Sequence, residues 1–453
     1  MDKQAAVILV AGKGTRMKSG IPKALHSVCG KEMVTLIVDS VRAAGIDRIV
    51  VVVAPESYSI KAILGSDVSY VEQADQLGTG HALLQARESL EGVSEITVLA
   101  GDTPLIRSGS LESLARIHRD NSALITVLTA VVGDPGDLGR IARDDNGINA
   151  VIEHYMASPE DLKIREVNSG VYRIKSSWLW PALKSLEPSS NGEMLLTDLV
   201  AAAAADRSGS VTSVTVQDPT EILGINDRAQ LAAVEKVLRG RICKRWMLKG
   251  VTIPDPQSVY IDINVEIGED AIVMPNTHVL GQSIIGRGCR IGPNSIIKDS
   301  SIGDECSVLA SVVTEATLEN EVEIGPFSNV RSGTYLESYV NIGTTVELKK
   351  TRIGRNSKVN HFSYIGDADI GMEVNIGAGT ITCNYDGVEK HSTRIGDGAL
   401  IGSDTMLVAP VDIGSNARTG AGAIVTNDVP EGTLVVGSPA RVKKKELGRD
   451  LQN

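Results

Sequence analysis

Two hydrophobic rhythms divide the 453-residue chain. Over roughly the first 225 residues, short apolar runs alternate with stretches of helical spacing. The runs are Ala5 to Val10, Ile49 to Val53, Ile96 to Ala100 and Leu124 to Val132; Val34 to Ala44 and His81 to Leu90 are among the helical stretches. This alternation predicts βαβ units and a mainly parallel sheet, an α/β Rossmann-like domain over residues 1–226. Over 227–250, Leu231, Val234, Leu238, Ile242 and Trp246 recur every three or four residues, the stripe of a single helix. Glu235 and Arg239 are spaced to pair on its polar side. Gly250 ends the pattern and Pro254 and Pro256 follow, so the helix reads as a linker.

Over 251–453 the period becomes six. Ile267, Val273, Val279, Ile285, Ile291 and Ile297 keep it, as do Ile324, Val330, Leu336, Ile342 and Leu348, and later Ile395, Ile401, Leu407 and Ile413. A glycine often follows the aliphatic, and a small or β-branched residue often stands four after it. Period six suits neither a helix nor a two-faced strand. It suits short strands joined by sharp corners, with one aliphatic per side pointing into a narrow triangular prism. The rhythm runs to Ile376, lapses from Gly377 to Arg394 and resumes at Ile395, which predicts a loop interrupting the coil.

Composition and charge narrow the classes. Hydrophobic residues at 42% and charged residues at 22% are the profile of a soluble globular protein, and 45 glycines with 3% aromatics fit many tight corners. A net charge of -11 argues against a nucleic-acid partner, which needs a basic surface. No run approaches the roughly 18 apolar residues of a membrane span, and the first apolar run passes straight into a Gly-rich loop, unlike a signal peptide. Cys29, Cys243, Cys289, Cys306 and Cys383 are scattered and without CxxC spacing, as expected of reduced thiols in a cytoplasmic protein without a zinc site.

Candidate chemistry lies in both regions. The first strand runs into LVAGKGTRMKSGIPKAL, which has neither Walker A spacing nor the third glycine of a dinucleotide fingerprint. Gly12 and Gly14 would let backbone N–H groups approach phosphate oxygens, and Arg16 and Lys23 supply positive charge. Asp102 follows the strand ITVLA, at the strand end where open α/β sheets bind ligands; it is either a metal ligand or an ordinary loop acid. In the coil, Arg331 and Lys349 stand on neighbouring repeats, followed by His361 and Tyr364 in VNHFSYIGD, Asn375 in VNIGAG, and Asn384 and Tyr385 in TITCNYDG. A lone solenoid histidine is commonly a surface residue, and Lys349 with Lys350 could equally be solvated charge. Yet an imidazole is also the side chain best suited to taking a proton near neutral pH.

G-x-G-T-R-M followed by P-K resembles the nucleotide-sugar pyrophosphorylase signature. Over nearly its whole length the chain resembles the bacterial bifunctional N-acetylglucosamine-1-phosphate uridyltransferase/glucosamine-1-phosphate acetyltransferases. The resemblance implies a left-handed parallel β-helix of hexapeptide repeats, a cytoplasmic homotrimer, and a product used in peptidoglycan and cell-wall biogenesis. It implies glucosamine-1-phosphate, acetyl-CoA and UTP as substrates and Mg2+ as cofactor. In the first domain it assigns Asp102 and Asn226 to the metal, Arg16 and Lys23 to catalysis beside Gly12, Gln73, Gly78 and Thr79 to uracil, and Gly139, Glu153 and Asn168 to the amino sugar. In the coil it assigns His361 as general base and Arg331 and Lys349 to the sugar phosphate. Tyr364, Asn375, Asn384 and Tyr385 complete that site, the last two in a loop reaching a neighbouring subunit. Ala378, Ser403 and Ala421 would line an acetyl-CoA groove between adjacent prisms. The alternative is a sugar-1-phosphate nucleotidyltransferase with one activity, whose coil is structural or regulatory.

Overall fold

The structure, a computed structural model, describes residues 4–145, 147–189 and 192–445. The chain divides after Leu238 into two units, inside the helix Arg228–Met247.

In the first unit, strand β1 (Gln4–Leu9) shows why a sheet forms here. Ala5 and Val7 enter one apolar core and Ala6 and Ile8 the other, so both of its faces are buried. It is followed by β2 (Ile49–Val53), β3 (Ser69–Glu72), β4 (Glu95–Ala100), β5 (Ile125–Val131), β6 (Arg140–Asp144), β7 (Gly147–Ile152), β8 (Glu166–Lys175) and β9 (Val211–Thr215). The spatial order is β9-β5-β8-β4-β1-β2-β3, with β8 antiparallel to both neighbours and the β6–β7 hairpin attached to β8. Helices Met33–Ala43 and Ser108–Asp120 contribute Val34, Ile37, Leu111 and Leu114 to one core. Thr79–Gln85, Ser176–Ser185 and Asp198–Asp206 contribute Leu83, Leu179 and Leu199 to the other. The helix expected over His81 to Leu90 is shorter: it stops at Gln85 and a separate 3-10 turn covers Glu88–Leu90. Glu235 and Arg239 do not pair. Glu235 accepts the Cys29 amide at 2.8 Å, and the Arg239 guanidinium lies 4.2 Å from the centre of the Tyr260 ring.

The second unit is a parallel β-helix. Among the described residues its strands stack into three sheets of ten, nine and eleven strands, every third strand returning to the same sheet until strands Thr433–Val436 and Arg441–Lys445, an antiparallel pair, end the third. Val279 lies beneath Ile297, Leu348 beneath Ile365 and Ile302 beneath Leu318, so these coils are three hexapeptides or one or two residues fewer. The period-six aliphatics are the inward positions: Val279, Ile297, Val330 and Leu348 are all 0% exposed. Small residues fill the corners, where their hydroxyls serve carbonyls of the next coil; Ser295 Oγ donates to Val308 O at 3.1 Å and Ser357 Oγ to Gly371 O at 2.7 Å. Glycine after the aliphatic is a packing requirement, since a Cβ on Gly343 would come within 2.0 Å of Asn360 O.

The interruption of the coil is shorter than the sequence rhythm predicts. Strand Ile381–Cys383 keeps the phase, with Thr382 buried in the inward column and paired with Leu407. Thr382 hides the rhythm because it is polar. Its hydroxyl is satisfied inside the prism, accepting Gly366 N at 2.7 Å and donating to Gly366 O at 3.0 Å. The inserted residues therefore begin at Asn384, and strand Thr393–Ile395 restores the second sheet.

Candidate active sites

The first site forms at the carboxyl ends of β1 and β4. The β1 end leads into the Gly12 loop, and the β4 end leads through Gly101 to Asp102. Lys23 enters from the 3-10 turn Lys23–Leu25. Its Nζ donates to Asp102 Oδ2 at 2.5 Å and to Asn226 Oδ1 at 2.8 Å, and Arg16 Nη2 donates to the same Asn226 oxygen at 3.0 Å. Two oxygens from remote segments thus face one positive centre. Beside them lies a pocket of about 410 Å³ lined by Gly12, Lys23, Gln73, Gly78, Thr79 and Asp102 among others.

The deep end of that pocket is fixed by backbone contacts. Gln73, 4% exposed, donates Nε2 to Gly78 O at 3.2 Å and lies 3.0 Å from His81 Nδ1. Thr79 Oγ1 accepts Leu196 N at 3.0 Å. Gly78 has φ +99°, and a Cβ there would lie 2.5 Å from Met194 O. Gly78→Ala is therefore expected to destabilise the unit by about 1–3 kcal/mol, the cost of strain of this kind. Thermal unfolding would show it as a lowered melting temperature, and an unchanged one would mean that the loop yields without strain. Gln76, not singled out by sequence, ties this loop to the Gly12 loop by donating Nε2 to Ala11 O at 2.6 Å. Its only sequence signal is its place in QLGTGHA.

Gly139, Glu153 and Asn168 also come together. Asn168 N donates to Gly139 O at 2.9 Å, and a Cβ on Gly139 would lie 3.7 Å from both Asn168 Cβ and Glu153 Oε2. Thr197 Oγ1 donates to Glu153 Oε1 at 3.0 Å. Asn168 sits where β8 shifts register, a bulge that redirects side chains, and its Nδ2 donates to Tyr172 Oη at 2.6 Å. Burial pushes the Tyr172 phenol up and keeps it neutral.

The second site lies on the coil. Strands Glu347–Lys349, Tyr364–Gly366 and Ile381–Cys383 stack in one sheet, and Arg331 directly follows its strand Asn329–Val330. Arg331 Nη1 donates to Glu347 Oε1 at 2.7 Å. Asn384, 6% exposed, donates Nδ2 to Asp367 Oδ2 at 2.5 Å and to Tyr364 Oη at 3.4 Å. Lys390 stands beside Lys349 and lowers the Lys349 pKa, first as a donor that favours the neutral amine and then as a like charge, with Arg331 adding further repulsion. Sequence reading missed Lys390. Its signal was its place inside the interruption, which was read only as a whole.

Arg331, Lys349, Tyr364 and Asn384 are thus gathered on one face. His361 and Asn375 are not: both are exposed on the neighbouring sheet, His361 ending strand Lys358–His361 and Asn375 opening Asn375–Ile376. Tyr385 is exposed in the inserted loop. Ala378, Ser403 and Ala421 stack at one corner of three successive coils, with Asp404 N donating to Ala378 O at 2.6 Å and Gly422 N to Ser403 O at 2.8 Å.

Comparison with known proteins follows the same division. Residues 6–198 match the MobA-like NTP transferase domain, and 264–299 and 392–427 match the bacterial transferase hexapeptide (six repeats). A bifunctional protein GlmU from Heliobacterium modesticaldum is 46% identical over 99% of both chains. Those of Fervidobacterium nodosum, at 45% over 99% of this chain and 98% of its own, and Halalkalibacterium halodurans, at 44% over 98% of each, are similar throughout. The chain belongs to the bifunctional GlmU family. Membership decides between the two readings left open by the sequence: the chain is a bifunctional transferase, not a one-activity nucleotidyltransferase with a passive coil. Its coil is the left-handed hexapeptide β-helix.

Proposed function

We propose that the chain makes UDP-N-acetylglucosamine by two reactions at two separate sites. At the coil, the amine of glucosamine-1-phosphate attacks the thioester carbon of acetyl-CoA; the C–N bond forms, the C–S bond breaks and the CoA thiol leaves. His361 takes the proton from the amine. Arg331, Lys349 and Lys390 hold the phosphate, Tyr364, Asn375, Asn384 and Tyr385 hold the sugar, and the Ala378, Ser403 and Ala421 corner receives acetyl-CoA. In the first unit, a phosphate oxygen of N-acetylglucosamine-1-phosphate attacks the α-phosphorus of UTP and pyrophosphate departs. That oxygen is already ionised, so the residues position and neutralise rather than deprotonate. Gln73, Gly78 and Thr79 bind uracil, Gly139, Glu153 and Asn168 the acetylated amino sugar, and Arg16 and Lys23 face the phosphates beside Gly12.

Magnesium fits the first site. Among the described residues no three His, Cys, Asp or Glu side chains form a metal cluster, but Asp102 and Asn226 present two hard oxygens to one positive centre. Phosphates and water complete such a shell, and the ion would offset phosphate charge. Exposure of Tyr385 at 59% and Val388 at 85%, with Ser403 and Ala421 also exposed, supports a coil site completed by a neighbouring copy in a homotrimer. Among the described residues no helix is long and apolar enough to cross a membrane. Among the described residues the five cysteines form no disulfide, which suits the cytoplasm, where UTP and acetyl-CoA are available.

The observation that carries this reading is the pair of separate constellations, Arg16, Lys23, Asp102 and Asn226 in one unit and Arg331, Lys349, Tyr364 and Asn384 in the other. Purified protein given glucosamine-1-phosphate, acetyl-CoA, UTP and magnesium is expected to yield N-acetylglucosamine-1-phosphate and then UDP-N-acetylglucosamine, identified by mass. Absence of the acetylated intermediate would overturn the coil assignment.

A further inference from the structure

The loop that interrupts the coil is organised by one carboxylate. Asp386 Oδ1 accepts the amides of Val388 at 2.8 Å and Glu389 at 2.7 Å, and Oδ2 lies 2.7 Å from His391 Nε2. Tyr385 and Lys390 pair as an antiparallel bridge, Tyr385 Oη donates to Gly387 O at 2.6 Å, and His391 N donates to Asn384 O at 2.8 Å. The hairpin is therefore closed at its base and held from within. Its base is anchored in turn, because the nearly buried Asn384 side chain is bonded to Asp367. The Glu389 amide, the His391 imidazole and the Val388 amide hold the Asp386 carboxyl well below the usual carboxylate range, so it is ionised at neutral pH.

The consequence falls on Lys390, which the hairpin carries up to Lys349. Two nearby carboxylates are already engaged, Glu347 by Arg331 and Asp367 by Asn384. Two ammonium groups side by side repel each other, and an exposed loop free to move would separate them. A fixed hairpin keeps them together, an arrangement suited to a dianion.

We infer that Asp386 is a positioning residue for acetyl transfer: by fixing the 384–391 hairpin it holds Lys390 beside Lys349 as a two-ammonium receptor for the substrate phosphate. The inference rests on the coil being the acetyl-transfer site. Full-length Asp386→Ala, Asp386→Asn and Lys390→Ala proteins are compared in acetyl transfer, varying glucosamine-1-phosphate and then acetyl-CoA; uridylyl transfer by the same preparations reports on folding. Lys390→Ala and Asp386→Ala are each expected to raise the KM for the sugar phosphate on the order of tenfold, the worth of a charge-assisted contact, with the KM for acetyl-CoA unchanged. Asp386→Asn keeps an oxygen for the two amides and is expected to recover most of that loss. If Lys390→Ala raises this KM and Asp386→Ala does not, the positioning role is wrong and the site reading stands. If neither raises it, the phosphate receptor itself is wrong. A fall in kcat with both KM values raised alike in Asp386→Ala would mark a general structural role and overturn the inference.

Discussion

Asp102→Ala is expected to lower uridylyl transfer on the order of a thousandfold while acetyl transfer continues at the parental rate. Asp102 stands just beyond β4 and is one of the two oxygen donors facing the Lys23 ammonium. Removing it takes away the only carboxylate bonded to Lys23 among the described residues, leaving the Asn226 amide to hold both Lys23 and Arg16. The charge pattern that receives the phosphates is then wrong by a full unit in a half-buried site, where electrostatic terms exceed those in water. Asp102→Asn keeps an oxygen and loses the charge, so it is expected to fall between the alanine variant and the parent. The side chain is 29% exposed, so the fold survives the change and the melting temperature should move little. Rates measured against magnesium concentration decide the metal role: a variant with the parental magnesium dependence would reject it. Equal loss of both activities would show that the two sites are not independent.

The fold was legible where one physical rule governs every position. Each inward place in a narrow prism takes an aliphatic of similar size and each tight corner takes a glycine or small residue, so the period-six pattern exposed most of the coil. The rule failed at Thr382, because a hydroxyl satisfied inside the prism substitutes for an aliphatic. In the first unit β1, β2, β4 and β5 were legible as apolar runs, whereas β3, β6, β7, β8 and β9, which are more polar or half-exposed, were not. Helix ends and polar pairings were not, because they depend on tertiary partners. Glu235 has a backbone amide at Cys29 to accept, and Arg239 has the Tyr260 ring to stack on; neither partner is near it in the sequence.

The sites divide in the same way. Gly12, Arg16 and Lys23 lie within one strand-to-loop segment, so chemistry and placement could be read together. That Lys23 meets Asn226 across 203 residues of chain follows from no local pattern; the resemblance assigned Asn226 to a metal beside Asp102, not to Lys23. Asn375 shows the converse. Its motif adjoins those of Tyr364 and Asn384, yet the three-sided coil puts it on a different sheet. Proximity in a solenoid is set by the residue's place within its coil, and sequence neighbours a hexapeptide apart face different directions.

His361→Ala is expected to lower acetyl transfer by about 10²- to 10⁴-fold, the usual worth of a general base, and to leave uridylyl transfer unchanged. The imidazole belongs to an exposed residue at the end of strand Lys358–His361, outside the packed prism. The backbone keeps that end in place: Thr344 pairs with His361 on the preceding coil, and Ser363 Oγ donates to His361 O at 2.7 Å. Neither tie uses the imidazole, so alanine leaves the coil intact and the melting temperature should match the parent. The loss then reports on chemistry rather than on folding. His361→Gln, similar in size but unable to take the proton, is expected to be as inactive as alanine. An undiminished rate in His361→Ala would remove the imidazole from the reaction altogether, since the exposed histidine would then be a surface residue of the coil and nothing more.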